Sequence, residues 1–125
     1  MKIGRITVSD RASAGVYEDR SGPEIEAALR VHFHEAQFDA VIVPDEVEIV
    51  AAALLRFTDD LTFDLVVTTG GTGVSARDVT PEATRAVLET ELPGFGEVMR
   101  MASFAKVKTS ILSRATAGIR GHCLI

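Results

Sequence analysis

One cysteine, Cys123, is all that this chain of 125 residues contains. A lone thiol cannot close an internal disulfide, nor can it build a cysteine-rich zinc site. Lys and Arg total 13 against 18 Asp and Glu, and they form no cluster, which excludes the basic patch of a nucleic-acid binder. No apolar run reaches the length of a membrane span, and the start of the chain has no long apolar leader segment. A cytoplasmic protein with no membrane partner is the expectation. The three histidines make no convincing site. His32 and His34 stand two apart, a spacing that does not converge on a helix surface. His122 falls in a late hairpin pattern, without the context of a Ser-His-Asp triad. What is present suits one packed domain spanning 1–125, with 46% hydrophobic and 25% charged residues.

The most informative stretch runs from Leu65 to Glu82. An apolar, β-branched run, Leu65-Val66-Val67, ends in Thr68-Thr69 and spills into Gly70, Gly71 and Gly73. Arg77 and Asp78 follow, and Thr80-Pro81 opens a helix. Glycines let the backbone adopt positive φ and approach a ligand closely. N–H groups clustered in such a turn, beside a helix N-terminus, attract an anion. Asp78 adds a carboxylate able to hold a metal ion on that anion. The same residues also suit a plain strand-to-helix connection with an exposed aspartate.

Taken in order, Lys2 to Ser9 reads as a strand, followed by a long polar loop from Ser9 and Asp10 to Arg20. Ser21 to about Phe33 reads as a helix, with Pro23 in its first turn and Ile25, Ala28, Leu29 and Phe33 on one face. Ala40 to Pro44 is a short strand. Asp45 then caps a second helix, with Glu48 completing a capping box, and the helix runs to roughly Thr58. Its buried stripe is Val47, Val50, Ala51, Leu54 and Leu55. A cap and a metal ligand are compatible roles for Asp45, because a carboxylate has two oxygens. A helix from Thr80 breaks at Pro93-Gly94, and Gly94 to about Phe104 is helical again, with Met99 and Met101 as core filler. Glu97 and Arg100 stand one helical turn apart and suit an ion pair. The segments flanking Arg120-Gly121 read as an antiparallel hairpin.

Strand and helix in alternation predict a three-layer α/β/α fold, Rossmann-like, with a mainly parallel sheet and an antiparallel edge hairpin. Ligands bind such sheets outside the carboxyl ends of the strands, where Ser9, Asp10, Asp45 and the glycine loop all fall. A P-loop needs a Gly-Lys-Ser/Thr ending, and Gly70 to Ala76 contains no lysine. The spacing Gly71-x-Gly73-x-x-Ala76 weakly matches a dinucleotide fingerprint, but it follows the third strand rather than the first. The remaining constellation fits Mg²⁺-assisted phosphoryl or nucleotidyl transfer to a phosphorylated small molecule.

Several segments together resemble one family. They are Thr68-Thr69-Gly70-Gly71-Thr72-Gly73, Arg77-Asp78-Val79-Thr80-Pro81-Glu82, Ser9-Asp10-Arg11-Ala12-Ser13, Pro44-Asp45-Glu46, Pro93-Gly94-Phe95-Gly96-Glu97 and Ile111-Leu112-Ser113-Arg114. In their order along the chain they resemble the molybdopterin adenylyltransferase family, of the bacterial Mog type, related to MoaB proteins and to the G domains of gephyrin-like proteins. The Ser9 to Ser13 opening looks like the Mog branch.

That resemblance implies transfer of AMP from ATP to the terminal phosphate of molybdopterin, with Mg²⁺ as cofactor and pyrophosphate released. It implies Asp45 and Asp78 as the catalytic and metal-holding carboxylates. It maps the ligand-binding loop onto Thr69, Gly70, Gly71, Thr72 and Gly73. It maps pterin contacts onto Ser113 with Arg114 beside it, and places Ser9 and Asp10 at the site's edge. A homotrimer and a downstream molybdate-insertion protein are the implied partners. Family members continue into a further loop and a final helix, so the chain is expected to be interrupted at Ile125. The alternative is a non-catalytic molybdopterin-binding module of the MoaB type.

Overall fold

The structure is a computed structural model describing residues 1–125. Its six strands are β1 (Lys2–Val8), β2 (Gln37–Val43), β3 (Leu65–Thr69), β4 (Thr90–Glu91), β5 (Gly118–Arg120) and β6 (Cys123–Leu124). The helices are α1 (Asp10–Ser13), α2 (Ser21–His32), α3 (Val47–Leu55), α4 (Thr80–Val87) and α5 (Gly94–Phe104). They form one sheet in the order β2-β1-β3-β6-β5-β4. β1 pairs in parallel with β2 and β3, and β3 with β6. The β4–β5 and β5–β6 pairs are antiparallel. The expected three-layer α/β/α class is therefore what forms. No helix is long and apolar enough to cross a membrane.

Alternation along β1 divides its side chains between two faces. Ile6 and Val8 join Val43, Val50, Leu54, Phe57, Phe63, Val66, Ala83 and Val87 in the main apolar core. Helices α3 and α4 cover that face. Phe57 lies on Gly4, where an added Cβ would come within 2.7 Å of its ring, and packs edge-on to Phe63 at 4.9 Å. Phe57 reaches this position because α3 loosens into a π turn over Arg56–Asp60. The second helix predicted to Thr58 thus ends in an irregular turn that buries Phe57 and Thr58.

The opposite face is more polar. Arg5 Nε donates to Glu26 and Arg5 Nη1 to Asp19, whose carboxylate also accepts from Thr7 Oγ1 and the Gly22 N–H. A Cβ at Gly22 would sit 2.1 Å from Arg5 Nη1, so α2 docks through charge and close backbone approach. Its predicted apolar face is only half covered: Ile25 and Leu29 are half-buried, and Ala28 is exposed.

Three local expectations change. β2 begins at Gln37 rather than Ala40, because an edge strand tolerates the polar residues that obscured it. α4 stops at Val87, and the chain turns into the short β4, which pairs with β5. The hairpin turn centres on Gly121-His122, with Gly121 at φ +58°, and β6 lies inside the sheet beside β3 rather than at its edge. Only β4 and β5 form the antiparallel edge.

Cys123 is fully buried in β6. Burial, aided by the charge of Asp64, pushes its thiol up to about 11. Only the thiolate is reactive. The native protein is therefore expected to stay inert to an aromatic disulfide reagent at pH 8 and to react once unfolded. Rapid modification of the native fold would contradict this placement.

Candidate functional site at the carboxyl ends of β1, β2 and β3

The connection leaving β1 runs toward β2, while that leaving β3 runs to the other side of the sheet. This is the topological switch point at which open α/β sheets place ligands. Three loops meet there, carrying Ser9-Asp10, Asp45 and Thr69 to Asp78.

The glycine loop takes its shape from close contacts. Gly70 has φ +91° and Gly71 φ +66°. A Cβ on Gly70 would fall 2.2 Å from the carbonyl oxygen of Val8. Nearly every carbonyl of the loop is turned inward and bonded. Thr80 Oγ1 donates to Gly70 O at 2.8 Å, and Thr80 N–H to Gly71 O at 3.0 Å. Arg114 N–H donates to Thr72 O at 2.7 Å, and Arg114 Nε to Gly73 O at 2.7 Å. The N–H groups of Gly70, Gly71, Thr72 and Gly73 make no hydrogen bond within the chain. A row of unpaired donors on a loop of fixed shape, leading into α4, is an anion cradle.

Both aspartates flank this cradle. A Cβ on Gly71 would lie 3.0 Å from Asp45 Oδ1, and one on Gly73 would lie 2.7 Å from Asp78 Oδ2. Asp78 Oδ2 accepts from the Ser75 N–H at 3.0 Å. Asp45 does not cap α3 as predicted. The cap position is Glu46, which makes no side-chain bond, so the capping box with Glu48 does not form. Asp45 Oδ2 instead accepts from the Asp10 N–H at 2.8 Å, because the β1 loop presents that donor across the crevice. Each aspartate thus keeps one oxygen, Oδ1, free of any bond within the chain. No group of three or more His, Cys, Asp or Glu forms a ready-made metal cage. Two carboxylates with one free oxygen each do fit a magnesium ion that takes its remaining ligands from phosphate and water.

The other predicted residues are placed as follows. Ser9 caps α1, its Oγ accepting from the Ala12 N–H at 3.1 Å. Asp10 bonds the Asp45 N–H through Oδ1 at 3.0 Å and receives a two-pronged ion pair from Arg77 at 2.8 and 3.0 Å. The Arg77 guanidinium, hydrogen-bonded to it, holds the Asp10 carboxyl below the usual range. Ser113 Oγ reaches Thr72 Oγ1 at 3.5 Å. Arg114 points into the loop: Nη2 donates to Asp78 O at 2.7 Å, and Nη1 pairs with Glu82. The structure brings all these residues together.

Two cavities adjoin the cradle and share Thr69 and Gly70. The larger, about 350 Å³, also meets Thr72, Phe95, Met99 and Ser113. The smaller, about 190 Å³, is bounded by Ser9, Tyr17 and Asp19.

Glu97 and Arg100 do not pair. Arg100 Nη1 donates to the carbonyls of Ser113 and Ala115 at 3.2 and 2.8 Å, fixing the segment that carries Ser113. Met99 and Met101 are 55% and 77% exposed, so they are not core filler: α5 packs chiefly on the 3₁₀ turn Lys108–Leu112 and leaves its apolar side open. Sequence reading missed the roles of Arg77 and Thr80. Each acts on a partner outside its own element, 67 and 10 residues away, so local spacing holds no signal for the first and only a helix-start signal for the second.

A mainly parallel α/β sheet with loops carrying unpaired N–H groups and two carboxylates at its switch point defines a protein of the Rossmann-like class. Residues 4–124 match the family described as "Probable molybdopterin binding domain". The chain belongs to that family. It is 51% identical to a molybdopterin adenylyltransferase of Helicobacter pylori strain J99 over 98% of its length, spanning 70% of that relative. It is 45% identical to the molybdopterin adenylyltransferase of Escherichia coli K12 over its whole length, spanning 65% of that relative. A solved MogA structure superposes with a TM-score of 0.91 at 38% identity, covering 100% of this chain and 81% of the other.

Proposed function

We propose that this chain is a molybdopterin adenylyltransferase whose residues 1–125 form a molybdopterin-binding domain. The observation that carries this reading is the row of unpaired N–H groups at Gly70, Gly71, Thr72 and Gly73 between two half-free aspartates. The names of its relatives support the same reaction.

In that reaction an oxygen of the molybdopterin phosphate attacks the α-phosphorus of ATP. The bond from that phosphorus to the oxygen bridging it to the β-phosphate breaks, and pyrophosphate leaves with that oxygen. AMP remains joined to the pterin phosphate through a new P–O–P link. The protein's contribution is positioning and charge stabilisation. The loop N–H groups bind phosphate oxygens and gain strength as charge shifts in the transition state. Asp45 and Asp78 would hold Mg²⁺ through their unbonded oxygens, and when bound the ion neutralises charge on the phosphates. Thr72 and Ser113 face the larger cavity and line the pterin side. Ser9 edges the smaller cavity, which adjoins the cradle from the other side. Arg114 and Thr80 hold the loop's carbonyls and leave its N–H groups without a partner in the chain. The chain carries a net charge of −5, so the field that attracts polyphosphate must be local.

The reading is tested by measuring pyrophosphate release from Mg-ATP with and without molybdopterin. Release that depends on the pterin supports it. Molybdopterin binding with no release would leave a binding module of the MoaB type.

The side of α5 turned away from the larger cavity carries Val98, Met101 and Phe104, with Ile111 from the following turn. We assign this face to a homotrimer contact in the cytoplasm, from which the adenylylated product passes to a molybdate-insertion protein. Exposed apolar patches of this kind mark association surfaces. Sedimentation is expected to give a trimer, and Met101→Asp to shift it toward monomer. A wild-type monomer at micromolar concentration would contradict the assignment.

A further inference from the structure

Asp10 and Arg77 do something that phosphate binding does not require. Asp10 opens α1 directly after β1, Asp45 follows β2 and Arg77 follows β3, so the three lie on three separate connections. Asp10 and Asp45 exchange backbone-to-carboxylate bonds in both directions, at 2.8 and 3.0 Å. Arg77 Nε and Nη2 then grip both oxygens of Asp10, at 3.0 and 2.8 Å. Two-pronged Arg–carboxylate pairs fix orientation as well as distance. With Oδ2 of Asp45 committed to the Asp10 N–H, its rotamer is set and Oδ1 faces Gly71. Arg77 is also the residue next to Asp78, so the same grip ties the two flanking aspartates to one another through Asp10.

We infer that Asp10 and Arg77 form a latch that positions Asp45 and Asp78, making them positioning residues for the adenylyl transfer rather than ligand contacts. The inference rests on the transferase reading above for its functional consequence, though not for the latch itself. Asp10 spends both carboxylate oxygens on Arg77 and Asp45. Arg77 spends two guanidinium nitrogens on Asp10. Removing Arg77 leaves Asp10 free to rotate, weakens its hold on the Asp45 N–H and lets the Asp45 carboxylate leave its set orientation. Arg77 is 59% exposed, so its loss costs the fold little.

Two measurements test the latch. The first is amide hydrogen exchange by NMR on the ligand-free chain, comparing wild type with Arg77→Ala and Arg77→Lys. The Asp10 and Asp45 amides are expected to be protected in wild type, to exchange at least tenfold faster in Arg77→Ala, and to fall between in Arg77→Lys. A lysine keeps the charge and loses the fork. Unchanged protection would overturn the latch. The second is Mn²⁺ binding in the presence of ATP, followed by electron paramagnetic resonance, with kcat and KM measured beside it. Arg77→Ala and Asp10→Asn are expected to weaken Mn²⁺ binding about tenfold and to lower kcat more than they raise KM for molybdopterin. Loosened amides with unchanged Mn²⁺ binding and kcat, in a protein whose wild type is active, would overturn the positioning role. A wild type that neither binds Mn²⁺ with ATP nor releases pyrophosphate would defeat the transferase reading instead, and with it the positioning role, while amide exchange would still decide the latch.

Discussion

Asp78→Asn is expected to lower turnover by about 100-fold or more with the fold intact, and Asp45→Asn to do the same. The reason lies in how each carboxylate is already used. Asp78 Oδ2 accepts from the Ser75 N–H, and Asp45 Oδ2 from the Asp10 N–H. An asparagine can keep either bond with its one carbonyl oxygen. Its amide nitrogen then occupies the position of the free oxygen. That replaces an anionic acceptor with a neutral donor, where the metal and the polyphosphate need negative charge opposite them. Local structure is retained because the backbone bond survives, so thermal midpoints should move by only a few degrees, corresponding to about 1 kcal/mol or less. The readouts are pterin-dependent pyrophosphate release and a thermal melt on the same sample. Normal turnover in either variant would remove that residue from the metal role.

Gly70→Ala should act through the fold rather than the chemistry. Gly70 stands at φ +91°, and an added Cβ would meet the Val8 carbonyl oxygen at 2.2 Å. A left-handed conformation costs a residue with a side chain about 1–2 kcal/mol. A backbone clash at this distance adds about 1–3 kcal/mol, because a strand carbonyl cannot swing away as a flexible side chain can. Together they should lower the melting midpoint by roughly ten degrees or more. They should also displace the Gly70 and Gly71 N–H groups from the cradle. Gly15→Ala is the matched control: φ there is +74°, but nothing lies within 4 Å of the added atom. It should show the backbone penalty alone. Equal melts for the two variants would show that the Val8 contact is not what holds the loop.

These cases mark where the sequence was readable. The run Leu65 to Thr69 followed by glycines announced strand β3 and its turn, because hydrophobic pattern and glycine placement are local properties. Asp78 was visible for the same reason, sitting just before a helix start. Asp45 was placed correctly at the end of β2 but given a local partner. The local rule favours an N-cap bond, whereas the bond that formed crosses 35 residues to the Asp10 N–H. Arg114 was read from the family resemblance as a companion of Ser113 at the pterin. In the structure its guanidinium is engaged by Gly73 O, Asp78 O and Glu82, contacts that span at least 32 residues. Met99 and Met101 carried a core-like pattern on a helix that packs chiefly on the turn Lys108–Leu112 and leaves both residues more than half exposed. Periodicity shows that a face is apolar, not what covers it. The two-residue strand β4 was too short to show any alternation.

The proposed reaction turns on one bond, formed between the α-phosphorus of ATP and the phosphate of molybdopterin. The most direct test is to incubate the chain with molybdopterin, Mg²⁺ and ATP labelled at the α-phosphate, and to follow the label. Label is expected to leave ATP and appear on the pterin, one AMP for each pyrophosphate released, and Asp78→Asn is expected to slow the transfer by about 100-fold or more. Label that stays in ATP, or appears only as free AMP while molybdopterin remains bound and unmodified, would contradict it.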